Sequence, residues 1–437
     1  MIEKRLRKYI FPSVLAMTGV SIYILADTFF ISIAGGSDGI CALNLILPIY
    51  CMVFALAALI GTGAATRYSI IKASGGTDAN RYFSNAVFFS IIVSIPFIVC
   101  GLFIPDQILI LLGADENVLE VGVPYFRTAM CFAPFFILNN VVTSFVRNDG
   151  SPKIVMVATL VSSFFNIIFD YVFMFPMGLG MFGAALATGV SPIVSITICS
   201  IHFFTKNNTI TFEWKLPSFK RLYLSCILGV SGFIGEIASG VTGLVFNFIL
   251  LSVAGNNGLA AYGIIANISI VCIAMFNGVA QGLQPMASEA EGRKEQDTKR
   301  RVLNHSALIG GIISVILVAV LCIFATPFVT VFNSEGIAEL QAYGEVGLRI
   351  YSIGFLFAGM NIVIAGYFAA VDKPRECAIL SLARGVVAIV FFALLLSSLL
   401  GIIGVWLAFV ASEATTLILS VVLLAKTGNL LAKKKKA

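Results

Sequence analysis

Amide and carboxyl side chains occur at helical spacing inside the apolar segments of this 437-residue chain. In the stretch FFNIIFDYVF (164–173), Asn166 and Asp170 are four residues apart, so a helix places both on one face. An aspartate at the centre of a bilayer helix costs roughly 2.5–3.5 kcal/mol on insertion scales. A role that needs the charge, such as binding a cation, explains that cost better than packing does.

Asp27 and Thr188 belong to the same predicted site. At 1.5 Å per residue, Asp27, Asp170 and Thr188 each lie roughly 10 Å inside the membrane from one face, in three different predicted helices. Two carboxylates in low dielectric cannot both stay charged unless a cation compensates them, so either one holds a proton or a metal cation lies between them. Oxygen ligands suit Na⁺, and the same cluster can carry H⁺. The alternative is a polar contact that only joins helices, which Asn and Thr often make.

The composition shows what surrounds these residues. Hydrophobic residues make up 59% of the chain and charged residues 11%, with a mean hydropathy of +0.99. A soluble domain is about half apolar and a quarter charged, so this chain is expected to fold in lipid. The nine cysteines are scattered singly through apolar segments and indicate neither disulfides nor a metal site.

The hydropathy pattern predicts twelve membrane spans of about 20 residues or more. Numbered along the chain, they lie near 10–33, 41–70, 82–104, 123–146, 154–175, 181–204, 222–253, 259–287, 302–324, 343–370, 377–399 and 403–425.

The cationic residues orient these spans. All but three of the 28 Lys and Arg fall in the tails and in the loops on the N-terminal side of the membrane. The exceptions, Arg127, Arg349 and Arg384, lie at or inside helix ends. By the positive-inside rule, both termini are cytoplasmic and the protein is a multi-pass protein of the cytoplasmic membrane. The net charge of +6 therefore calls for no nucleic-acid partner.

A weak internal repeat divides the chain. Arg127, Asn139 and Pro152 have counterparts 222 residues later at Arg349, Asn361 and Pro374. The predicted domains are an N-terminal six-helix bundle with the cation site (1–204), a cytoplasmic linker (205–221), a C-terminal six-helix bundle (222–425) and a basic tail (426–437). At the same offset Asn166 and Asp170 fall on apolar residues, so the acidic cluster belongs to one half only.

Polar residues of the C-terminal half form a second, less defined set. Glu236 lies in span 7 among small residues and could face a central cavity as a substrate or proton site. Gln281, Gln284 and Asn361 are further candidates for such a site. Glu413 in span 12 either takes part in transport or simply pairs with Arg384 in span 11.

Several classes of function lack their motifs. The chain has no Gly-rich phosphate loop with its lysine, so ATP drive is not expected. It has no His/Cys metal cluster and no serine with a base at usable spacing, so we expect neither an enzyme nor a cofactor beyond the coupling ion.

The motifs together resemble the multidrug and toxic compound extrusion (MATE) transporters. The resemblance covers nearly the whole chain in span number, orientation and repeat. It includes Pro12 and the ADTFF around Asp27 in span 1, NIIFD in span 5 and GLGMFGAALAT (178–188) before Thr188. GTGAATRYS after span 2, RNDGSP after span 4 and QGLQP in span 8 complete it.

The resemblance implies an all-α polytopic membrane protein with twelve transmembrane helices in two six-helix bundles related by a pseudo-two-fold axis. It implies a monomeric antiporter that exports small organic compounds, often cationic and amphipathic, in exchange for Na⁺ or H⁺ by rocker-type alternating access, with a role in antibiotic resistance. The DinF-like branch, more than the NorM-like branch, matches the cation site at Asp27, Asn166, Asp170 and Thr188. Tyr23, Asn139, Asn140 and Pro12 are the predicted supporting residues.

Two other functions stay open at this stage. One is a lipid-linked oligosaccharide flippase of the same broad superfamily, although such proteins usually have fourteen spans and a cationic cavity. The other is a receptor or scaffold without transport activity.

Overall fold

The computed structural model describes residues 2–333 and 336–427, apart from the side chain of Ser37. Within these residues the chain is almost entirely helical. The basic tail predicted at 426–437 lies outside the described residues from position 428 onward. We call the face that carries the N-terminus and the cationic loops the basic face, and the other the opposite face.

The predicted spans of the N-terminal half are helices that extend beyond the apolar segments. Spans 1 and 2 are Ile2–Gly36 and Asp38–Ala73, and span 3 is Ala79–Phe103. Span 4 is a bent pair, Glu116–Cys131 and Ala133–Asn148, at 44°. Spans 5 and 6 are Pro152–Met174 and Gly180–Ser200, the latter followed by a 3-10 turn at Ile201–Phe204.

The C-terminal half repeats this order. Spans 7 and 8 lie in one helical run, Phe219–Gly292, with non-helical backbone at Gly255. Span 9 is Gln296–Ile323, and span 10 is again a bent pair, Ala338–Ile353 and Phe355–Ala370, at 43°. Span 11 runs as Pro374–Leu382, a π turn at Ala383–Val387 and Ala388–Leu400. Span 12 is Ile402–Lys426.

The run Phe219–Gly292 must cross the membrane twice. Its 74 residues would measure about 110 Å as one straight helix, whereas the hydrocarbon core is about 30 Å thick. Counted in this way, the described residues contain the twelve spans that the sequence predicts.

The same backbone features recur in both halves. Gly36 (φ 57°, ψ −146°) and Gly255 (φ 61°, ψ −155°) each separate two spans with a conformation that is essentially restricted to glycine. The bends of spans 4 and 10 fall at Phe132 and Gly354, which are 222 residues apart like the sequence repeat. In span 4 the bend is explained by Pro134, whose ring cannot follow a regular preceding turn.

The apolar core consists of clusters that mostly stay within one half. One cluster joins spans 2, 4 and 6 around Tyr125, Phe126 and Met130, and another joins spans 7, 8, 10 and 12 around Phe276, Phe355 and Trp406. A further cluster packs Leu6, Tyr9 and Ile10 of span 1 against the C-terminal half. The division of the chain at 205–221 is compatible with these clusters and stays a prediction.

Among the described residues, the glycines at which the two halves touch closely lie in the basic half of the membrane. A Cβ atom at Gly278 or Gly282 of span 8 would collide with span 1, and one at Gly229 would collide with the backbone of span 2. Further along span 7, Gly240 and Gly243 would meet nothing within 4 Å. A cleft therefore opens between the halves toward the opposite face.

Candidate functional site

The structure brings the four predicted cation-site residues together. Span 5 presents Asn166 and Asp170 from one helix face, and both side chains are completely buried. Span 1 contributes Asp27 and span 6 contributes Thr188, each 9% exposed. Asn166 Nδ2 donates a hydrogen bond to Thr188 Oγ1 at 3.2 Å, which ties span 5 to span 6. The carboxyl groups of Asp27 and Asp170 lie within electrostatic range of each other.

Most acceptor oxygens of this cluster have no donor. Asp27 Oδ1, Asn166 Oδ1 and both carboxyl oxygens of Asp170 are buried without a hydrogen-bond partner in the structure. Buried polar atoms are almost always paired, and an unpaired one costs about 1–3 kcal/mol, more when it is charged. Oxygens with unused lone pairs, converging from three helices, fit a hard cation such as Na⁺ or a proton shared between two carboxylates.

Three tyrosines surround the two carboxylates. Tyr23, one helical turn before Asp27, lies within electrostatic range of both acids, as the sequence predicts. Tyr50 of span 2 and Tyr125 of span 4 also lie within electrostatic range of both acids. The hydroxyl oxygens of these two tyrosines are 3.4 Å apart. The sequence alone does not predict this pair, because a tyrosine hydroxyl in an apolar run does not stand out from ordinary aromatic packing.

The remaining N-terminal candidates lie elsewhere. Asn140 packs against Gly61 of span 2, and its Oδ1 atom, like that of Asn139, has no hydrogen-bond partner among the described residues. Pro12 lies inside the helix of span 1, near its basic end. No contact in the described residues joins these three to the cluster of Asp27 and Asp170, so their supporting role stays a prediction.

Glu236 lies at the cleft between the two halves. Its side chain is exposed, and its neighbour Gly235 has open space around it. Glu236 lies within electrostatic range of Cys51 of span 2, which belongs to the N-terminal half. The cleft therefore carries a carboxylate on its C-terminal wall.

Gln284 and Asn361 have hydrogen-bond partners that the sequence does not predict. Gln284 is 4% exposed and donates hydrogen bonds to Thr66 Oγ1 and to the carbonyl of Thr62, so it joins the two halves instead of lining an open cavity. Asn361 Nδ2 donates to Glu413 Oε2 at 2.8 Å inside the C-terminal half. Gln281 is partly buried.

The linker 205–218 is held by a buried aspartate at the end of span 4. Asp149 accepts hydrogen bonds from Lys72 Nζ at 2.6 Å, Tyr68 Oη at 2.8 Å and the backbone N–H of Thr209 at 2.8 Å. Lys72 and Tyr68 bond Asp149 Oδ1, whereas the N–H of Thr209 bonds Oδ2, which also lies 2.9 Å from His202 Nε2. Burial raises the pKa of Asp149, but the hydrogen bonds from His202, Lys72 and Thr209 outweigh it and hold the pKa well below its usual range.

In the part of the chain that the structure describes, no three His, Cys, Asp or Glu side chains cluster, so no set of ligands typical of a transition metal is present there. The site is therefore an all-oxygen cluster of two acids, one amide and one hydroxyl, buried between three membrane helices.

Comparison with known proteins gives the class. The model of the MatE family matches residues 12–172 and matches again at residues 233–394, once in each half. The chain belongs to the MatE family. The resemblance stated from its motifs is thereby confirmed at the level of the family, whereas the DinF-like branch stays a prediction.

Particular relatives are multidrug exporters. The multidrug export protein MepA of Staphylococcus saprophyticus is 28% identical over 409 residues, which cover 91% of this chain and 88% of that protein. MepA of Staphylococcus haemolyticus is 28% identical over 442 residues, covering 99% and 96%. Among solved structures, a multidrug resistance MATE family transporter of the MOP superfamily in an outward-facing conformation has the same fold, with a TM-score of 0.92, 22% identity and coverage of 98% and 96%.

Proposed function

We propose that this protein is a secondary active exporter of small organic compounds in which a cation bound at Asp27, Asn166, Asp170 and Thr188 drives transport. The observation that carries the proposal is the set of buried, unpaired oxygens on Asp27, Asn166 and Asp170. Membership of the MatE family and the names of the MepA relatives support export of drug-like substrates.

Coupling follows from the charge of the cluster. When the site is empty, two facing carboxylates repel each other and favour an arrangement that separates them or admits a cation. When Na⁺ or H⁺ is bound, spans 1, 5 and 6 can pack together. Site occupancy therefore changes the packing of the N-terminal half next to the cleft, and rocking of the two halves would expose the cleft to the two faces in turn.

The basic face is proposed to be cytoplasmic. The support is the distribution of Lys and Arg, which a membrane potential and anionic headgroups both favour on that side. Labelling of single cysteines in right-side-out cells tests this: a cysteine in the linker should be protected from a membrane-impermeant reagent, and one at Asp106 should react. The proposed monomer can be examined by light scattering in detergent.

Asp27→Asn and Asp170→Asn test the site. Each should abolish efflux of a fluorescent organic cation from cells, because the carboxylate pair can no longer exchange a cation. Asp106→Asn, which changes an exposed acid on a short helix outside the spans, is the matched control and should transport normally. Full efflux by either site variant, at equal amounts in the membrane, would refute the proposal.

Proteoliposomes loaded with separate Na⁺ and pH gradients then identify the coupling ion. Substrate movement should follow one gradient in the wild type and neither in Asp170→Asn. A flippase would move a lipid-linked sugar without either gradient, and a scaffold would show no flux under any condition.

A further inference from the structure

The C-terminal half contains a second buried charged cluster, in spans 10, 11 and 12. Glu413 is only 2% exposed, and its Oε1 accepts a hydrogen bond from Arg384 Nε at 2.6 Å. Asn361 Nδ2 donates to both Oε2 and the backbone carbonyl of Glu413, at 2.8 Å each. Ser420 Oγ donates to Asn361 Oδ1 at 2.9 Å. Glu413 is thus held directly by Arg384 and Asn361, and Ser420 holds Asn361 in turn.

This ion pair lies deep in the membrane. Counted from Pro374 at the basic face, Arg384 is about 15 Å along span 11, and Glu413 is about 16 Å along span 12 from Ile402 at the opposite face. Ionisable groups at such depths are costly and are generally associated with substrate or ion pathways. Pairing explains why Glu413 can stay charged, but a fully apolar pair would join the two spans as well.

Most of the N–H donors of Arg384 are unused. Arg384 bonds Glu413 through Nε, and its two terminal nitrogens make no hydrogen bond within the described residues. The side chain is 24% exposed. A guanidinium edge cannot face hydrocarbon in the middle of a bilayer without a large cost, so the exposed edge must face water.

The cleft between the halves is the open space next to Arg384. The following residue, Gly385, packs against Ala238 of span 7, and its carbonyl accepts a hydrogen bond from Thr242 Oγ1 at 3.3 Å. The same stretch of span 7 carries Glu236 and Gly240, which border the cleft. Arg384 therefore lies beside the C-terminal wall of that cleft.

The backbone of span 11 is irregular at this point. Ala383–Val387 forms a π turn that contains Arg384, inside an otherwise α-helical span. Such turns insert one extra residue, re-aim the side chains of the turn and occur frequently at functional sites. The turn is an observation independent of the ion pair, and it points to the same residue.

We propose that Arg384 is a carboxylate-binding subsite of the transport cleft, the residue that holds the carboxylate of a substrate that also carries a cationic group. A carboxylate fits the paired N–H groups of a guanidinium in a bidentate manner. Glu413 orients the guanidinium through Nε and leaves its terminal nitrogens to the substrate. The carboxylate of Glu236 on the same cleft suits the cationic group. The proposal rests on the proposed function and assigns one residue of that cleft to one group of the substrate.

Two dyes that differ by one group test this subsite. A rhodamine with a free carboxylate and its methyl ester share one cationic ring system, and only the first can bind Arg384 through a carboxylate. The double variant Arg384→Gln with Glu413→Gln removes both charges of the pair and leaves two amides in place. It should raise KM for the carboxylate dye about 10-fold or more, as loss of a charge-assisted bidentate contact implies, and leave KM for the ester within about twofold.

Matched variants separate the subsite from a structural pair. Arg384→Lys keeps a charge for Glu413 but loses the fork, so it should raise KM for the carboxylate dye only. Arg349→Gln, at an exposed ion pair with Glu345, should change neither dye. Binding to purified protein, followed by fluorescence anisotropy, gives the same comparison without transport.

Equal losses for both dyes would show that the pair only supports the fold, and equal retention would show that Arg384 does not contact substrate; either result overturns the subsite. A wild type that exports the ester but not the carboxylate dye also overturns it and leaves the proposed export function standing. A wild type that moves neither dye nor any organic cation contradicts the proposed function itself.

Discussion

At the scale of single residues, the cation cluster is defined by oxygens that lack donors. Among the hydrogen bonds of the described residues, the one that Thr188 accepts from Asn166 joins two members of the cluster. This bond keeps the amide nitrogen of Asn166 occupied and leaves Asn166 Oδ1 unpaired next to Asp170. Thr188 therefore positions Asn166 as well as supplying an oxygen of its own.

Thr188→Ala should raise the concentration of coupling cation needed for half-maximal transport about 5- to 150-fold. Loss of the hydroxyl leaves a buried amide unpaired, which costs about 1–3 kcal/mol, and 1.4 kcal/mol corresponds to a factor of ten. Thr188→Ser keeps the hydroxyl and should restore the wild-type value. The measurement is substrate flux into proteoliposomes at increasing Na⁺ or decreasing pH. Identical values for the alanine and serine variants would contradict this role of the hydroxyl.

Asp149→Asn should lower the melting temperature of the purified protein by on the order of 5 °C at neutral pH, since removal of one charge from a buried ion pair is strongly destabilising. The pKa of Asp149 is depressed in the folded protein, so its contribution to stability is complete above about pH 4 and is lost as the pH falls further. The difference between wild type and variant should therefore shrink below pH 4. A difference that stays constant over this range would contradict the linkage.

At the scale of elements, the turns between spans 1 and 2 and between spans 7 and 8 each depend on one glycine. Gly36 and Gly255 have the same left-handed, extended conformation, and an added Cβ would meet nothing within 4 Å at either position. Any cost of a side chain there comes from the backbone alone. These two positions allow backbone strain to be measured without steric conflict.

Gly255→Ala should destabilise the protein by about 1–3 kcal/mol, the usual cost of a strained backbone conformation. Gly263→Ala is the matched control, because that position also has open space around it but lies within regular helix. It should be neutral or slightly stabilising, since alanine is the better helix former. Thermal unfolding of the two variants gives the comparison. Equal stability of both would show that the turn at Gly255 can relax into another conformation.

The sequence predicts the spans well and their ends poorly. Span 1 is predicted at 10–33 and extends from Ile2 to Gly36, because hydropathy detects only the part of a helix that lies in hydrocarbon. The bend at Gly354 and the π turn at Ala383–Val387 have no hydropathy signal at all. Such irregularities depend on packing between helices, which a single segment does not encode.

The candidate site was predictable because buried charge is costly, so every acid inside a span could be recognised from the sequence. Depth along the helices groups Asp27, Asp170 and Thr188, and the structure places them together. The pair of Tyr50 and Tyr125 has no such signal, because it forms only when span 2 packs against span 4. The polar type of Gln284 makes it a candidate for a cavity, whereas its partner Thr66 lies 218 residues away in the chain.

At the scale of the whole molecule, contacts between the halves are concentrated at the basic face. Arg5 bonds Glu289 at 2.5 Å, and Arg67 bonds Asp372 at 3.1 Å. Gln284 and Thr66 add a buried hydrogen bond between spans 8 and 2. Since the cleft opens toward the opposite face, alternating access requires these contacts to break when the basic face opens.

A covalent cross-link between the halves at the basic face should therefore stop transport. Arg67→Cys with Asp372→Cys, in a background in which the nine native cysteines are replaced, should be joined by a bis-methanethiosulfonate reagent that spans the reach of the arginine side chain now bridging these two positions. Cross-linking should abolish efflux of an organic cation, and reduction should restore it, since the cleft can then no longer open at the basic face. Each single-cysteine variant controls for loss of the ion pair and should keep its activity after treatment with the reagent. Full transport by the cross-linked protein would mean that the halves do not separate at the basic face, and substrate would then have to reach the cleft by another route, such as between spans from the bilayer.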